Sequence, residues 1–407
     1  MAEPVPFATP RTSLNAAALL LPDADDPRPA LVSEGGEITR GDLHRAMNRA
    51  ANGFRALGLA RGSRVLMVAR NDPAMVAAWL GAVKAGLVPV SADPHLPPSV
   101  LNDLAEVRGA SLVLADADAP LANRPFVWRL GGPDDAGHCW NHWTAQQSDA
   151  AEAADTAPDD PAFWIGNVVH AQRAVTACDR YPRAALGLAA GDRMVAAFRL
   201  FTTDGLLHGL LAPLRLAASA VLDETPWPDA GRVLELVRRH RPRALFGTPL
   251  LFRDLLKSGA GADEAVRDTA LFVASGEKLP ATLYDRWLKT VGRPILEAYG
   301  CAETLCPVIG ATPDDSRPGW TGRLLPDAEA RLVDDAGEPA PPEEAGILMV
   351  RHPSLCLGYH GRNGWLDPAP VAGGWFLTRD VFTGDGTGWW RHIERRNGNS
   401  RVAAPPR

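Results

Sequence analysis

The stretch RVLMVARNDPAMVAAWLGAVKAGLVPVSA (64–92) decides the fold. RVLMVAR is a short apolar run that reads as a buried strand. NDPAMVAAWLGAVKAG then opens with a cap-type Asn71 and an early proline and ends near Gly86, as a helix does. LVPVSA is apolar again. Two buried strands joined by a helix imply a parallel pair with a crossover, the unit of an α/β sheet. Upstream, ITRGDLHRAMNRAANGFRALGL (38–59) carries apolar residues at helical spacing, with Thr39 as N-cap. Downstream, PPSVLNDLAEVRGA reads as a helix and SLVLAD (111–116) as a strand. QQSDAAEAADTAPDD (146–160) is acidic, rich in alanine and poor in large apolar residues, so an exposed linker is expected there. DRMVAAF, ASAVLD, PRALFG, ALFVAS and PILEAY then repeat the strand pattern between helical segments such as DAGRVLELVRRH. After Trp320, short strand runs broken by Gly, Pro and Asp-Gly turns predict a small β-rich unit.

Composition narrows the function classes. The 407 residues carry a net charge of −6 and show no basic stripe, which argues against nucleic acid as a partner. No apolar run approaches the ~20 residues needed to span a bilayer, and the N-terminus lacks the basic region of a signal peptide. A cytoplasmic protein with no membrane partner is expected. The five cysteines (Cys139, Cys178, Cys301, Cys306, Cys356) show no zinc spacing, so no metal centre is expected.

Several ordered blocks carry a resemblance. DDPAFWI (159–165), RLFTTDGLLHGLLAPLRLAASAVL (199–222), LFGTPLLFRDLL (245–256), LFVASGEKLP (271–280), ILEAYGCAET (295–304), GWFLTRD (374–380) and HIERRN (392–397) stand in the order found in adenylate-forming enzymes. They resemble the benzoate and aryl-CoA ligase branch of the acyl-CoA synthetase superfamily. The resemblance implies two doubly wound α/β subdomains and a β-rich unit, divided as 1–145, linker 146–160, 161–320 and 321–407. The chain would stop at the family hinge, without the C-terminal domain. It further implies an aryl pocket lined by Phe201, Leu206, Gly247, Ser275, Tyr299 and Gly300. Gly276 and Glu277 would lie along an adenine, Asp380 and Arg395 would bind a ribose, and Glu303 matches a magnesium-holding glutamate.

What the blocks lack shapes the expected chemistry. In the family, a Ser/Thr/Gly-rich loop ending in lysine surrounds the phosphates. Here FWI runs straight into GNVVHAQRAV (166–175), so about ten residues are missing as one block. Ala302 replaces the motif threonine, Arg379 a glycine and Asn397 the hinge aspartate. Adenylation is therefore expected to be lost. The leading expectation is an acyltransferase that needs no cofactor. It would take an aryl-CoA thioester as substrate and pass the benzoyl- or anthraniloyl-type group to an acyl carrier protein, in polyketide-like antibiotic biosynthesis. Cys301 is the candidate nucleophile, with His170 and His208 as candidate bases. The alternatives are an inert homologue acting as a binding or scaffold protein, partnered by a separate aryl-CoA ligase, and a residual aryl-CoA ligase.

Overall fold

The computed structural model describes residues 12–121, 126–132, 138–226, 228–341, 343–361, 366–369 and 371–396. Local sequence sets the first elements. The helix Arg40–Ala56 begins where Thr39 Oγ1 accepts from the Asp42 amide, as expected. The helix Pro73–Lys84 is capped by Asp72, whose Oδ1 accepts from the Ala74 and Met75 amides, and not by Asn71. Asn71 instead donates to Phe198 O at 3.1 Å and accepts from the Leu200 amide at 2.9 Å, linking two sheets. These two helices pack against each other across Gly81, where an added Cβ would stand 2.5 Å from the Ala50 Cβ. Only glycine permits that approach.

The predicted strands build two large α/β sheets. In the first, Pro161–Ile165, Val88–Ala92, Arg64–Val68, Ala110–Asp116 and Val127–Leu130 run parallel side by side. Buried Trp79 and Phe163 meet beneath them, ring centroids 5.3 Å apart. In the second, Ile295–Tyr299, Leu271–Ala274, Ala244–Gly247, Arg193–Ala196, Ser219–Val221 and Pro29–Ser33 are parallel. A third sheet, around Glu329–Val333, Gly346–Arg351 and Trp375–Gly384, forms the β-rich unit.

The expected division at residue 161 needs correction. Pro161–Ile165 and Val168–Ala171 form a hairpin on the edge of the first sheet, and Gly358–His360 pairs beyond it. Conversely, Pro29–Ser33 and Gly36–Thr39 belong to the second sheet. Non-local pairing, which sequence order does not display, decides both. The segment 146–160 is also more than an exposed linker. Asn48 and Asn52 bond its carbonyls at 149, 148 and 150, and Thr156 is buried. The hinge residue Asn397 lies outside the described residues.

The missing loop has a definite structural counterpart. Ile165 pairs with Val168, so Gly166 and Asn167 alone make the turn. Gly166 has φ 59°, the conformation a two-residue type II′ hairpin turn assigns to glycine at that position. A phosphate-binding segment is not rebuilt between these strands from other sequence. Among the described residues, no helix is long and apolar enough to cross a membrane.

Candidate active site

A cavity of about 290 Å³ opens where the second sheet meets the β-rich unit, lined in part by Gly276, Glu277, Lys278, Tyr299, Gly300 and Arg395. Its walls are the end of Ile295–Tyr299, the turn that follows Leu271–Ala274, and the paired strands Trp375–Gly384 and Trp390–Arg395. The sequence-predicted residues Gly276, Glu277, Tyr299, Gly300, Asp380 and Arg395 are brought together here.

Asp380 is the electrostatic centre of the cleft. It is 3 % exposed. Tyr299 donates its hydroxyl to Oδ2 at 2.8 Å, Arg395 donates to the same oxygen at 3.1 Å, and His392 Nε2 lies 3.1 Å from Oδ1. Burial alone pushes this carboxyl up. The hydrogen bonds from His392 and Tyr299 and the Arg395 charge outweigh it, leaving the group below its ordinary value. A carboxylate offers about four lone-pair sites, so one acceptor site remains for a ligand hydroxyl. His392 stacks on Tyr299, centroids 6.0 Å apart, and fixes the ring's orientation. The opposite wall holds Glu297, raised by burial and held by Thr321 Oγ1 at 2.9 Å and the Leu279 amide at 3.1 Å.

Glu303 has a different employment from the one expected. Tyr359 donates its hydroxyl to Glu303 Oε1 at 2.8 Å, and the Cys356 amide bonds the Glu303 carbonyl. Among the described residues no group of three His, Cys, Asp or Glu side chains is placed to hold a metal ion.

The nucleophile and bases proposed from sequence are not arranged for that work. The Cys301 thiol is pushed well up by burial and by the neighbouring Glu303 charge, which disfavours the thiolate. Its sulfur approaches Thr304 Oγ1 at 3.7 Å, and no histidine bonds it. His170 is fully buried and stacks on Phe163, its pKa pushed down to about 4 by burial against an opposing pull from the Ala302 and Ser354 backbone. Neither ring nitrogen makes a well-aligned hydrogen bond. His208 is likewise buried, stacked on Phe246 at 4.3 Å and pushed down to about 3.

The expected aryl-pocket residues lie on three elements. Phe201 precedes the helix Thr203–Leu206, which buries Leu206 and runs on as a π-helical turn, Leu207–Leu211. Gly247 ends its strand, and Ser275 follows the next one, Leu271–Ala274. Sequence reasoning passed over Asp204, Glu297, Lys278 and His392. All four sit inside quoted motifs, where their polar side chains were the available signal.

A model of the family described as AMP-binding enzyme matches residues 23–360. The 3-hydroxybenzoate–CoA ligase of Aromatoleum sp. (strain CIB) is 33 % identical over 92 % of this chain and 75 % of its own length. The anthranilate–CoA ligase of Pseudomonas aeruginosa is 31 % identical over 83 % of this chain and 67 % of its own. Among solved structures, a benzoate CoA ligase from Burkholderia xenovorans LB400 superposes with a TM-score of 0.84 at 26 % identity, covering 97 % of this chain and 82 % of that one. These findings overturn the expectation of an acyltransferase acting on a carrier protein, and with it the expectation that ligase chemistry is lost. The relatives named here are CoA ligases, burial and the Glu303 charge disfavour the Cys301 thiolate, and the Cys301 sulfur meets Thr304 Oγ1 and no histidine.

Proposed function

The chain belongs to the AMP-binding enzyme family, and from that premise we propose that it is a residual aryl-CoA ligase, activating an aromatic carboxylate with ATP and passing it to coenzyme A. What supports the reading is a single observation. The cleft around Asp380, Tyr299, Gly276 and Glu277 is intact and buttressed, in a chain one-third identical to a hydroxybenzoate–CoA ligase over most of both lengths. In this reading the ring lies between the helix 203–206 and the strand ends at Gly247 and Ser275. Asp380 accepts from a ribose hydroxyl through its remaining lone pair. The carboxylate oxygen attacks the α-phosphorus and pyrophosphate departs. The thiol then attacks the acyl carbon and AMP departs. Lys278 and Arg395 line the cleft and supply positive charge for the phosphates.

The tight turn at Gly166 and Asn167 favours a second reading, an aromatic-acid-binding protein with no turnover, because no hydroxyl-rich loop cradles the phosphates there. Losing one such donor costs ~10²–10³ in rate. The two readings separate in one experiment. The protein is incubated with ATP, magnesium, coenzyme A and 3-hydroxybenzoate, 2-aminobenzoate or benzoate, and products are resolved by liquid chromatography and mass spectrometry. Acid-dependent aryl-CoA with equimolar AMP supports the ligase. Saturable acid binding without AMP release leaves the binding protein.

A further inference from the structure

We propose that Asp204 selects the aromatic acid, its carboxylate accepting a hydrogen bond from a hydroxyl or amino group on the ring. The assignment rests on the aromatic-acid reading above and names the substrate class within it.

The placement comes from three neighbours. Thr202 caps the helix Thr203–Leu206, its Oγ1 accepting from the Gly205 amide at 3.1 Å, which fixes Asp204 in the first turn. A Cβ built on Gly276 would stand 3.7 Å from Asp204 Oδ2, so the carboxylate adjoins the residue that lines the cleft. Four positions on, His208 lies face to face with Phe246, and residues four apart share one side of a helix. The Asp204 carboxylate thus stands beside one wall of the cleft, at Gly276. The residue is half-buried.

Polar groups on these segments lack well-aligned partners. Ser275 is 3 % exposed, its Oγ and both His208 nitrogens are buried, and none of the three atoms makes a well-aligned hydrogen bond. Asp204 forms no ion pair with any described residue. Burial raises its pKa, and the nearby Ser275 hydroxyl opposes that only in part. Buried polar groups left unpaired are costly and uncommon, so Ser275 Oγ, which directly precedes Gly276 in the chain, points to a ligand beside the Asp204 carboxylate. The helix turn beside them is π-helical, a distortion frequent at functional sites.

Carboxylate chemistry then restricts the ligand. An ionised carboxylate only accepts, so the substituent it meets must donate. Ring hydroxyl and amino groups qualify, and an unsubstituted ring strands the charge. A second ring carboxylate meets like charge. The competing account is that Asp204 merely complements the helix dipole, worth about 0.3–1 kcal/mol to stability. That role does not distinguish one benzoate from another.

The test is calorimetric binding to the full chain, which needs no turnover. The panel is 3-hydroxybenzoate, 2-aminobenzoate, benzoate and benzene-1,3-dicarboxylate, against the wild type, Asp204→Asn and Asp204→Leu. At least one donor-bearing acid is expected to bind the wild type about 10- to 100-fold tighter than benzoate, the worth of a hydrogen bond to a charged group, and the dicarboxylate weakest. Asp204→Asn is expected to shrink the preference and Asp204→Leu to abolish it, with benzoate binding retained. Equal wild-type binding of benzoate and both donor-bearing acids overturns the assignment, as does a loss in Asp204→Asn that is the same for every acid. If no acid in the panel binds the wild type, the aromatic-acid reading itself falls, and the assignment with it.

Discussion

Replacing His208 by leucine tests the electrostatics of the interior. His208 is fully buried, and burial drops its pKa from 6.5 to about 3. His170 and His352 are dropped from 6.5 to about 4 for the same leading reason. A histidine lowered in this way contributes stability that is fully present above the unfolded-state value of 6.5. The contribution is lost as pH falls, because the unfolded chain takes up a proton that the folded site refuses. The loss for His208 is complete only near pH 3. At 1.36 kcal/mol per pH unit, lowering the pH from 6.5 to 5 costs about 2 kcal/mol for each histidine. All three together cost about 6 kcal/mol, comparable with the whole ~5–15 kcal/mol stability of a native protein. His208→Leu also removes the stacking on Phe246, worth ~0.5–1.5 kcal/mol, but that loss is the same at every pH. Urea unfolding at pH 7.5 and pH 5 separates the two effects. The variant is expected to lose about 2 kcal/mol less than the wild type on acidification. A loss equal to the wild type's, or a His208 ring resonance titrating near pH 6.5 by NMR, would refute the reasoning.

Other positions give expectations of the same kind. Asn71→Ala strips bonds from the half-buried Phe198 carbonyl and the buried Leu200 amide, and about 1–3 kcal/mol of stability is expected to go, read by urea unfolding. Gly166→Val leaves a β-branched residue at φ 59° with nothing within 4 Å of its Cβ, so strain alone should cost about 1–2 kcal/mol; no change in the urea midpoint would contradict the II′ turn. Asp380→Asn is expected to destabilise at neutral pH. Because the Asp380 pKa lies below 3.8, the gap from wild type should persist above about pH 4 and close as pH falls further.

The strand and helix text was legible because buried parallel strands read as unbroken apolar runs, and the two sheets appear where those runs occur. The local cap Thr39 was equally plain. Asn71 and Asp72 were not separable, since both are cap-type residues beside Pro73 and only the chain's approach to Phe198 assigns them different work. The hairpin 161–171 was misassigned because Pro161–Ile165 pairs with Val88–Ala92, a strand on the far side of the segment 146–160. In the site, motif spacing found Asp380, Tyr299 and Arg395, whose side chains meet. It did not find Asp204, which reads as an ordinary first-turn acid until Gly276 is brought against it. Cys301 drew notice as a nucleophile by position, whereas its reactivity depends on burial and on Glu303, which spacing does not encode.

Carboxylate-dependent exchange of labelled pyrophosphate into ATP tests the central claim most directly, since it reports activation without requiring coenzyme A or product release. A residual ligase predicts exchange above the acid-free background with at least one ring-hydroxylated or ring-amino benzoate, reduced in Asp380→Asn. No exchange with any of these acids, at concentrations where calorimetry shows the cleft occupied, would contradict it.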